Sequence, residues 1–490
     1  MKTDNESRRT WLKGALGATI VGSVPQLARA DTPLTIRTEW QQFKASAQYA
    51  SFRSAIASMR ANPDANDRSS LAYWANVHVN HCPHGAPYFI SWHRGYLYYF
   101  ERQLRIVSGD PNLNLPYWDY YAYGAMPAEF TNPAPGNPLY LERMGANVHQ
   151  ALDLAPFAPT VFNFQHGTSN AFEPKIEDIH NPVHDLIGGV MGTMLSPLDP
   201  IFYLHHASID RLTHAWALPD GKGIPYSGFP YSPADSHPYW AGDNVYASDL
   251  SIARYLTLDP TWIGIDYADN SVPTSLPPPP ILSPTNAGRQ NPSRQRPPFR
   301  TFRAAPPRRI SQTRRSAGGI LQASLDEQSV SLRLRLERKD AADIARIVAA
   351  RRSGQQVVGA VKLVVDEALV AAAAGRGGFF YALYLNMPSS VDTPQARENF
   401  YIGTLGAFQI AAASHHGAAS IEYDVSDLLA RQKRIDFSEL TLSWVRINGD
   451  TPPSGRAITA GEMRIDLSFD AAPASAPSPA RPQGWYGKRV

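Results

Sequence analysis

Cysteine is almost absent from this sequence, since Cys82 is the only one in 490 residues. A single cysteine cannot form a disulfide within the chain, and structural zinc sites usually recruit several cysteines. Long apolar runs are also scarce: beyond the first 30 residues, no stretch reaches the roughly 18 to 20 apolar residues that span a bilayer. The composition therefore argues against a disulfide-stabilised scaffold, a cysteine-rich zinc module and a membrane span beyond the first 30 residues.

Acidic residues are missing from residues 271–319, which carry nine arginines and four consecutive prolines from Pro277 to Pro280. Such a segment cannot bury enough apolar surface to fold, so we expect an extended linker between two domains. The net charge is only +3, so the rest of the chain is acidic on balance. A solvated linker accounts for the arginines better than nucleic-acid binding does, and we expect no nucleic-acid partner.

Residues 1–30 have the organisation of an export signal. Arg8 and Arg9 precede an apolar run, and Ala28-Arg29-Ala30 offers a small-residue cleavage site. Paired arginines point to the twin-arginine (Tat) route, which carries folded proteins and so allows a metal to be loaded before export. We therefore expect a periplasmic or secreted protein.

Histidines are concentrated in the N-terminal half, where eleven of the 14 lie between His78 and His214. Four of them, from His78 to His93, surround Cys82. Burying several imidazoles among aromatic residues is costly unless something pairs their ring nitrogens, and a transition metal is such a partner. Sets made only of imidazoles suit copper, zinc, iron or nickel better than calcium or magnesium.

A second set of histidines lies about 100 residues later. His180 and His184 are four residues apart, so on a helix they share one face and can bind one ion. The pair His205-His206 opens a segment of helical periodicity, with Asp210 on the same face as His206. Two sets of three histidines indicate two metal centres.

Two longer motifs carry a family resemblance. The run His84-x4-Phe89-x2-Trp92-His93-Arg94-x6-Glu101 resembles the copper A motif of the tyrosinase and polyphenol oxidase family, and Asp199-Pro200-x-Phe202-Tyr203-x2-His206-x3-Asp210 resembles its copper B motif. Together with Pro116–Asp119 and the His180/His184 pair, the resemblance extends over residues 70–220. It implies two copper ions per chain that use O2 to oxidise small phenols.

Carried over position by position, the resemblance implies six copper ligands. It matches His84 and His93 to copper A, and His180, His184 and His206 to copper B. His78 is assigned as the sixth because it precedes Cys82 by four residues, as the first ligand does in the plant enzymes; His81 is the alternative. His205 flanks the ligand in the family motif and points about 100° away from His206 on a helix, so we leave it out.

The resemblance also implies roles beside the ligands. Cys82-Pro83-His84 is similar to the Cys-x-His of fungal tyrosinases, so we expect a thioether cross-link between Cys82 and His84; a free thiol, prone to oxidation, is the alternative. Asn181 and Glu177, with Glu173 as the next candidate, are matched to an asparagine and a glutamate thought to orient a water that deprotonates the phenol. The alternatives are an Asn181 that caps or packs the helix and a Glu177 at the surface.

Substrate access is assigned to two positions. Thr193, thirteen residues before His206, falls where some family members carry a bulky residue over copper A, so the threonine predicts an open site. Asp185, directly after His184, favours amine-bearing or cationic phenols. Charged residues inside the apolar helices are expected to hold ligand N–H groups or to form buried ion pairs; these are Arg94, Glu101, Asp199, Asp210 and Arg211.

Periodicity predicts a multidomain fold. Residues 31–270 are predicted to form a mainly α catalytic domain with a four-helix-bundle dicopper core, in which His78 and His84 lie on a loop interrupted by Pro83 and Gly85. Residues 320–470 alternate apolar and polar side chains in short strands, which predicts a β-sandwich-like C-terminal domain. Its strands are predicted at Val330–Leu336, Val357–Val365, Phe379–Asn386, Phe400–Ile410, Ile421–Val425, Leu440–Ile447 and Met463–Phe469. Residues 471–490 are predicted to be disordered.

The C-terminal domain looks like that of plant polyphenol oxidases, which shields the copper site, so a lid is expected. The predicted function is that of a tyrosinase, which hydroxylates monophenols at the ortho position and oxidises o-diphenols to o-quinones. A catechol oxidase or o-aminophenol oxidase without monophenolase activity is one alternative, and a haemocyanin-like O2-binding protein is another. The sequence leaves the physiological phenol and any homo-oligomer open.

Overall fold

A computed structural model describes residues 34–168, 170–217, 238–279, 295–355, 359–390, 399–414 and 418–469. The expected export signal (1–30) and the predicted disordered tail (471–490) lie outside the described residues. Among the helices of the described ranges, none has the length and apolar character needed to cross a membrane.

The N-terminal region is mainly helical. Its helices are α1 (Trp40–Phe43), α2 (Gln48–Ala61), α3 (Leu71–His81), α4 (Phe89–Ser108), α5 (Ala128–Thr131), α6 (Phe172–Ile187) and α7 (Ile201–Ala217). Two small sheets accompany them: β1 (Thr35–Arg37) pairs in parallel with β4 (Ile265–Tyr267), and β2 (Asp243–Ala247) pairs antiparallel with β3 (Leu250–Ala253). Short 3₁₀ helices cover His149–Ala151, Ala155–Phe157, Gly189–Gly192, Ser196–Leu198, Pro238–Trp240, Arg254–Thr257 and Pro260–Ile263.

Helix α3 corrects the expectation that His78 lies on a loop. The helix begins after Ser70, whose hydroxyl oxygen accepts a hydrogen bond from the backbone N–H of Ala72 at 3.1 Å, and it continues to His81. Cys82 is extended because the residue before a proline is kept out of the helical region. Pro83 therefore ends the helix after His78, and only His84 lies in the following loop.

The C-terminal region contains two antiparallel sheets. Its strands are β5 (Arg303–Ala305), β6 (Arg308–Arg309), β7 (Arg314–Leu325), β8 (Val330–Arg335), β9 (Ala360–Val370), β10 (Phe379–Leu385), β11 (Tyr401–Gly406), β12 (Ala419–Asp424), β13 (Glu439–Asn448) and β14 (Ile458–Ser468). One sheet has the strand order β11-β10-β13-β8, and the other has the order β12-β9-β14-β7-β5, with β6 also paired to β7. Helices α8 (Arg338–Arg352), α9 (Ala407–Ala413) and α10 (Ser426–Arg431) and a 3₁₀ helix at Ala372–Ala374 complete the region. The helical core and the sheet-containing region indicated by the sequence are both present.

The structure departs from the expected linker at residues 271–319. Strands β5 and β6 and the beginning of β7 lie inside it, while residues 280–294 lie outside the described residues. The arginines find carboxylate partners on distant strands; for example, Arg314 pairs with Asp466 at 2.7 Å. These partners are distant in the sequence, so the absence of acidic residues within 271–319 did not reveal the ion pairs.

Two further elements differ from the predicted strands. The segment expected as one strand, Phe400–Ile410, is β11 followed by α9, whose sequence AFQIAAA is rich in alanine, the strongest helix former. Helix α8, which packs next to α10, was not anticipated. Alternating patterns therefore located most strands but missed the helices that connect them.

Strand β10 joins the two regions. All seven of its residues, FFYALYL, are buried. Its odd-numbered residues from Phe379 to Leu385 lie in the core between the two sheets, whereas Phe380, Ala382 and Tyr384 pack into the core of the helical region. Because successive strand residues point to opposite faces, this sheet is covered by apolar groups on both sides. The C-terminal region is thus docked on the helices through a continuous hydrophobic contact.

Candidate metal centre

Within the described residues, two groups of side chains are compact enough to hold a metal ion. The first histidine group is His78, His84 and His93 with Cys82, and the second histidine group is His180, His184, His205 and His206. In each group the potential ligand atoms all lie within 4.8 Å of one another. Helices α3 and α4 and the loop between them carry the first group, and α6 and α7 carry the second.

The second histidine group contains a triangle of ring nitrogens. The Nε2 atom of His180 lies 3.1 Å from that of His184 and 3.2 Å from that of His206, and the His184–His206 distance is 3.3 Å. The centre of such a triangle is about 2 Å from each nitrogen, which is the length of a metal–imidazole bond. Three ring nitrogens that converge in this way fit one metal ion.

His205, which the sequence analysis leaves out of the copper ligands, lies beside this triangle. Its ring is stacked on that of His180, with centroids 5.1 Å apart and planes at 15°. The rings of His184 and His206 instead meet His180 edge-on, at 65° and 70°. His205 is fully buried, and burial lowers its pKa to about 3. It packs against the triangle as a neutral ring.

The first histidine group is arranged around Cys82. The Cys82 Sγ atom lies 3.5 Å from Nε2 of His84 and 3.4 Å from Nε2 of His93, a noncovalent approach. The ring centroid of His78 lies 5.0 Å from that of His84 and 5.8 Å from that of His93. His81, the alternative to His78, is exposed at the end of α3, whereas His78 is fully buried.

The two groups face each other. The rings of His93 and His206, one from each group, are stacked at 4.2 Å with planes at 19°. The ring of Phe89 lies 4.6 Å from His93 and 4.7 Å from His180, so it packs across both groups. This proximity makes the two histidine groups parts of one site.

Backbone carbonyls orient three of the rings. The Nδ1 atoms of His78, His93 and His184 lie 2.7–2.8 Å from the carbonyl oxygens of Met194, Phe89 and Met191. A carbonyl can only accept, so each Nδ1 carries the proton and each Nε2 keeps a lone pair for a metal. Neither methionine carbonyl was anticipated, because nothing in a side-chain pattern marks a backbone acceptor.

Burial sets the protonation of the histidines. It is the main cause that lowers the pKa well below the ordinary value for His84, His93, His180, His184 and His206, and neighbouring imidazoles add to it. Neutral imidazole is the form that binds a metal. The orientation, protonation and spacing of these rings therefore fit a pair of copper ions.

The five charged residues, which were expected to hold ligand N–H groups or to form buried ion pairs, all form ion pairs. Arg94 pairs with Asp210 at 2.6 Å, and Glu101 pairs with Arg37 at 2.8 Å. The remaining pairs join Asp199 to Arg143 at 2.7 Å and Arg211 to Asp119 at 3.6 Å. Of the two roles left open, these contacts correspond to ion pairing, and the Arg94–Asp210 pair joins α4 to α7.

Glu177 and Asn181 lie one turn apart on α6, and both are buried. The Asn181 Oδ1 atom lies 3.0 Å from Nδ1 of His180. The Glu177 carboxylate accepts a hydrogen bond from the backbone N–H of Gly85 at 3.0 Å and also pairs with His166. Glu177 is therefore not a surface charge, and its partner His166 was missed because a single histidine 14 residues from His180 carries no pattern.

The position of Asp185 corrects the expectation that this residue faces incoming substrate. It is fully buried, and its Oδ1 atom accepts the backbone N–H of Phe408 at 2.8 Å, near the start of α9. Gly406 leaves room for this carboxylate, since a Cβ there would lie 1.7 Å from Oδ2. Burial raises the pKa of Asp185 to about 8 although these backbone contacts oppose the shift.

Phe408 itself reaches the histidines. Its ring is stacked on His184, with centroids 3.9 Å apart and planes at 13°, and it also contacts His84 at 5.2 Å and His180 at 5.5 Å. The sequence offered no sign of this role. Thr193 is partly buried, and its hydroxyl donates to the carbonyl of Val190 at 2.8 Å. A C-terminal aromatic ring therefore covers the His184 side of the site.

Comparison with known proteins identifies tyrosinases as relatives of this chain. The family model described as the common central domain of tyrosinase matches residues 47–151 and 131–218. Tyrosinase HcTyr1 of Hahella sp. (strain CCB-MM4) is 30% identical over 231 residues, 38% of this chain and 48% of that protein, so the chain spans about half of its length. The tyrosinase of Streptomyces glaucescens is 31% identical over 194 residues, 30% of this chain and 69% of that protein.

A further relative and a solved structure are less similar in sequence. A G-type haemocyanin of Enteroctopus dofleini is 28% identical over 177 residues, 30% of this chain and 6% of that protein. Among solved structures, a recombinantly expressed latent aurone synthase (polyphenol oxidase) aligns with a TM-score of 0.51 over 93% of both chains at 21% identity, a likeness of fold.

Proposed function

The chain belongs to the tyrosinase family of type 3 copper proteins, and from that premise we propose that it is a phenol oxidase: it hydroxylates monophenols at the ortho position and oxidises o-diphenols to o-quinones with O2. The observation that carries this proposal is the converging Nε2 triangle of His180, His184 and His206, stacked through His206 on His93 of the first histidine group.

Six histidines would hold the metal. His78, His84 and His93 would bind one copper ion, and His180, His184 and His206 the other. When bound, the copper pair supplies the activation of O2 and the exchange of electrons with the phenol. The chain itself contributes neutral ligands of fixed orientation, a buried site, and the groups that position the substrate and accept its proton.

The residues around the centre suggest how a phenol would bind. The Phe408 ring lies parallel to His184, so a phenol ring could take the same stacked position once Phe408 has moved. Glu177 and Asn181 lie on one face of α6, the helix that also carries His180 and His184. Asn181 restrains His180, and the Glu177 carboxylate would take the phenolic proton through an intervening water.

The C-terminal region is proposed to act as a lid. Phe408 covers the histidines, Asp185 holds the backbone that carries it, and β10 anchors the whole region on the helices. Because that anchor is apolar and extensive, displacement of α9 with Phe408 demands less exposure of apolar surface than release of the entire region. In this proposal residues 31–270 form the catalytic domain and residues 320–470 the lid domain.

Export of the protein and a covalent cross-link within it belong to the same proposal. Export by the Tat route would deliver the folded, copper-loaded protein to the periplasm or the medium. The approach of Cys82 Sγ to His84 supports a thioether between them, which would fix the orientation of that imidazole.

The test uses copper-loaded full-length protein and its Phe408→Ala variant with tyrosine and with catechol. Quinone from both substrates is the expected result. Quinone from catechol alone would contradict monophenol hydroxylation and indicate a catechol oxidase. Reversible O2 uptake without quinone from either substrate would contradict the enzyme and indicate a haemocyanin-like carrier.

A further inference from the structure

His166 connects two carboxylates of α6. Its Nε2 atom pairs with Oε2 of Glu177, and its backbone N–H donates to Oε2 of Glu173 at 3.1 Å. Glu173 and Glu177 are one helical turn apart, so both face the segment that contains His166. The His166 side chain is 19% exposed and that of Glu177 is 5% exposed, so the pair is largely shielded from water.

The second oxygen of Glu177 is also engaged. Its Oε1 atom accepts the backbone N–H of Gly85 at 3.0 Å, in the loop directly after His84. Gly85 has a φ of 64°, a conformation that side-chain-bearing residues rarely adopt, so glycine is suited to presenting its N–H there. With both oxygens held, the carboxylate plane of Glu177 is fixed relative to the centre.

Electrostatics favour the charged form of His166. Burial opposes that form, but the carboxylates of Glu177, Glu173 and Asp178 outweigh it and raise the pKa of the imidazole. The attraction to Glu177 adds to the hydrogen bond between the two side chains.

We propose that His166 is a positioning residue which, through its pairing with Glu177, holds that carboxylate in the orientation that accepts the phenolic proton during monophenol hydroxylation. This inference rests on the proposed function, because it assigns a partner to the base used there. In the step, the phenolic O–H bond breaks, the electron pair remains on the phenolate oxygen, and the proton passes through water to Glu177. No oxidant is needed for the proton transfer itself.

The kinetic test compares His166→Gln with His149→Gln in the full-length, copper-loaded Phe408→Ala protein. His149 is a matched control because it is also partly buried but bonds to the carbonyl of Pro277, 2.9 Å away. We expect His166→Gln to lower kcat for tyrosine by about 10- to 100-fold, the usual cost of losing an orienting partner, and to leave kcat for catechol nearly unchanged. His149→Gln should change neither.

A second readout measures the pair directly. In the oxygen-free Cu(I) protein, which is diamagnetic, the His166 imidazole is identified by NMR as the signal lost in His166→Gln. We expect it to titrate above its ordinary pKa of 6.5, and the Glu177→Gln variant to lower that pKa. A His166 pKa that is unshifted and insensitive to Glu177→Gln would overturn the proposal.

The possible outcomes distinguish failure of the proposed function from failure of the role assigned to His166. If the reference protein oxidises catechol but leaves tyrosine unchanged, monophenol hydroxylation is contradicted, and the role of His166 in it falls too. If the reference protein hydroxylates tyrosine and His166→Gln does so at the same rate, only the role of His166 is contradicted. Equal losses with tyrosine and catechol would indicate a structural role and also overturn the proposal.

Discussion

The ring of Phe408 lies parallel to the ring of His184, with centroids 3.9 Å apart. The first belongs to α9 of the C-terminal region and the second to α6 of the histidine centre, more than 200 residues away in the chain. An intramolecular aromatic ring therefore covers one face of the histidine centre.

Replacing Phe408 by alanine should activate the full-length protein. Burial of a phenylalanine side chain stabilises by about 1.5–3 kcal/mol, so its removal should favour the open site by about 10- to 100-fold. Steady-state kcat/KM for catechol measures the change. Phe379→Leu is the control, because Phe379 is buried in the core between the two sheets and does not touch the histidines. Equal activation by both variants would point to general loosening rather than to uncovering of the site.

His206 and His205 are neighbours that should differ in copper binding. His206→Ala removes one corner of the nitrogen triangle and should lower the copper content below two ions per chain. His205→Phe keeps a flat ring stacked on His180 and should retain both ions. Copper per chain, measured by atomic absorption after dialysis, distinguishes them. A normal copper content in His206→Ala would remove this residue from the ligands.

Cys82 should become covalently linked to His84 when copper-loaded protein is exposed to air. Forming the carbon–sulfur bond removes one hydrogen from each residue, and O2 is the oxidant. The peptide that contains both residues should then be lighter by the mass of two hydrogen atoms and resist alkylation, as measured by mass spectrometry. Cys82→Ser should show no such loss. Quantitative alkylation of Cys82 in active protein would establish a free thiol.

Glu173 should make stability fall as the pH rises. Burial is the main cause that raises its pKa from 4.5 to about 7, so the folded state binds this proton more tightly than the unfolded state. The contribution is fully present below pH 4.5 and is lost as the pH rises through about 7, a change of up to about 3 kcal/mol. Urea unfolding at pH 5 and pH 8 measures it. The wild type should lose more stability over this interval than Glu173→Gln, and equal losses would contradict the raised pKa.

The Arg94–Asp210 pair should contribute to stability rather than to chemistry. Both side chains are buried, and the Tyr267 hydroxyl also donates to Asp210 at 2.5 Å. Asp210→Asn leaves the Arg94 charge uncompensated and should lower the free energy of unfolding by about 3–5 kcal/mol. The control is Asp249→Asn, at an exposed pair with Arg68, which should change it by less than about 1 kcal/mol. Comparable denaturant midpoints for the two variants would contradict this role.

Local pattern accounts for much of the site. The interval of four residues between His180 and His184 places both on one face of a helix, whatever surrounds that helix. The histidine motifs also name the residues that the fold brings together at the centre. His78 was misplaced on a loop because Pro83 was read as interrupting the segment, whereas a proline ends a helix only near its own position.

Contacts between segments that are distant in the sequence could not be predicted from local pattern. The contacts of Phe408 with His184, of Asp185 with the Phe408 backbone, and of His166 with Glu177 join segments whose separation in the chain carries no periodic signal. The same holds for the carbonyls of Met191 and Met194, because every residue has a carbonyl group.

The sequence by itself therefore determined which side chains are candidate metal ligands, because ligand chemistry and helical spacing are local properties. Only the tertiary structure decided which groups cover that centre, orient its rings and set its protonation. Those properties depend on which distant surfaces are packed together when apolar faces such as that of β10 are buried.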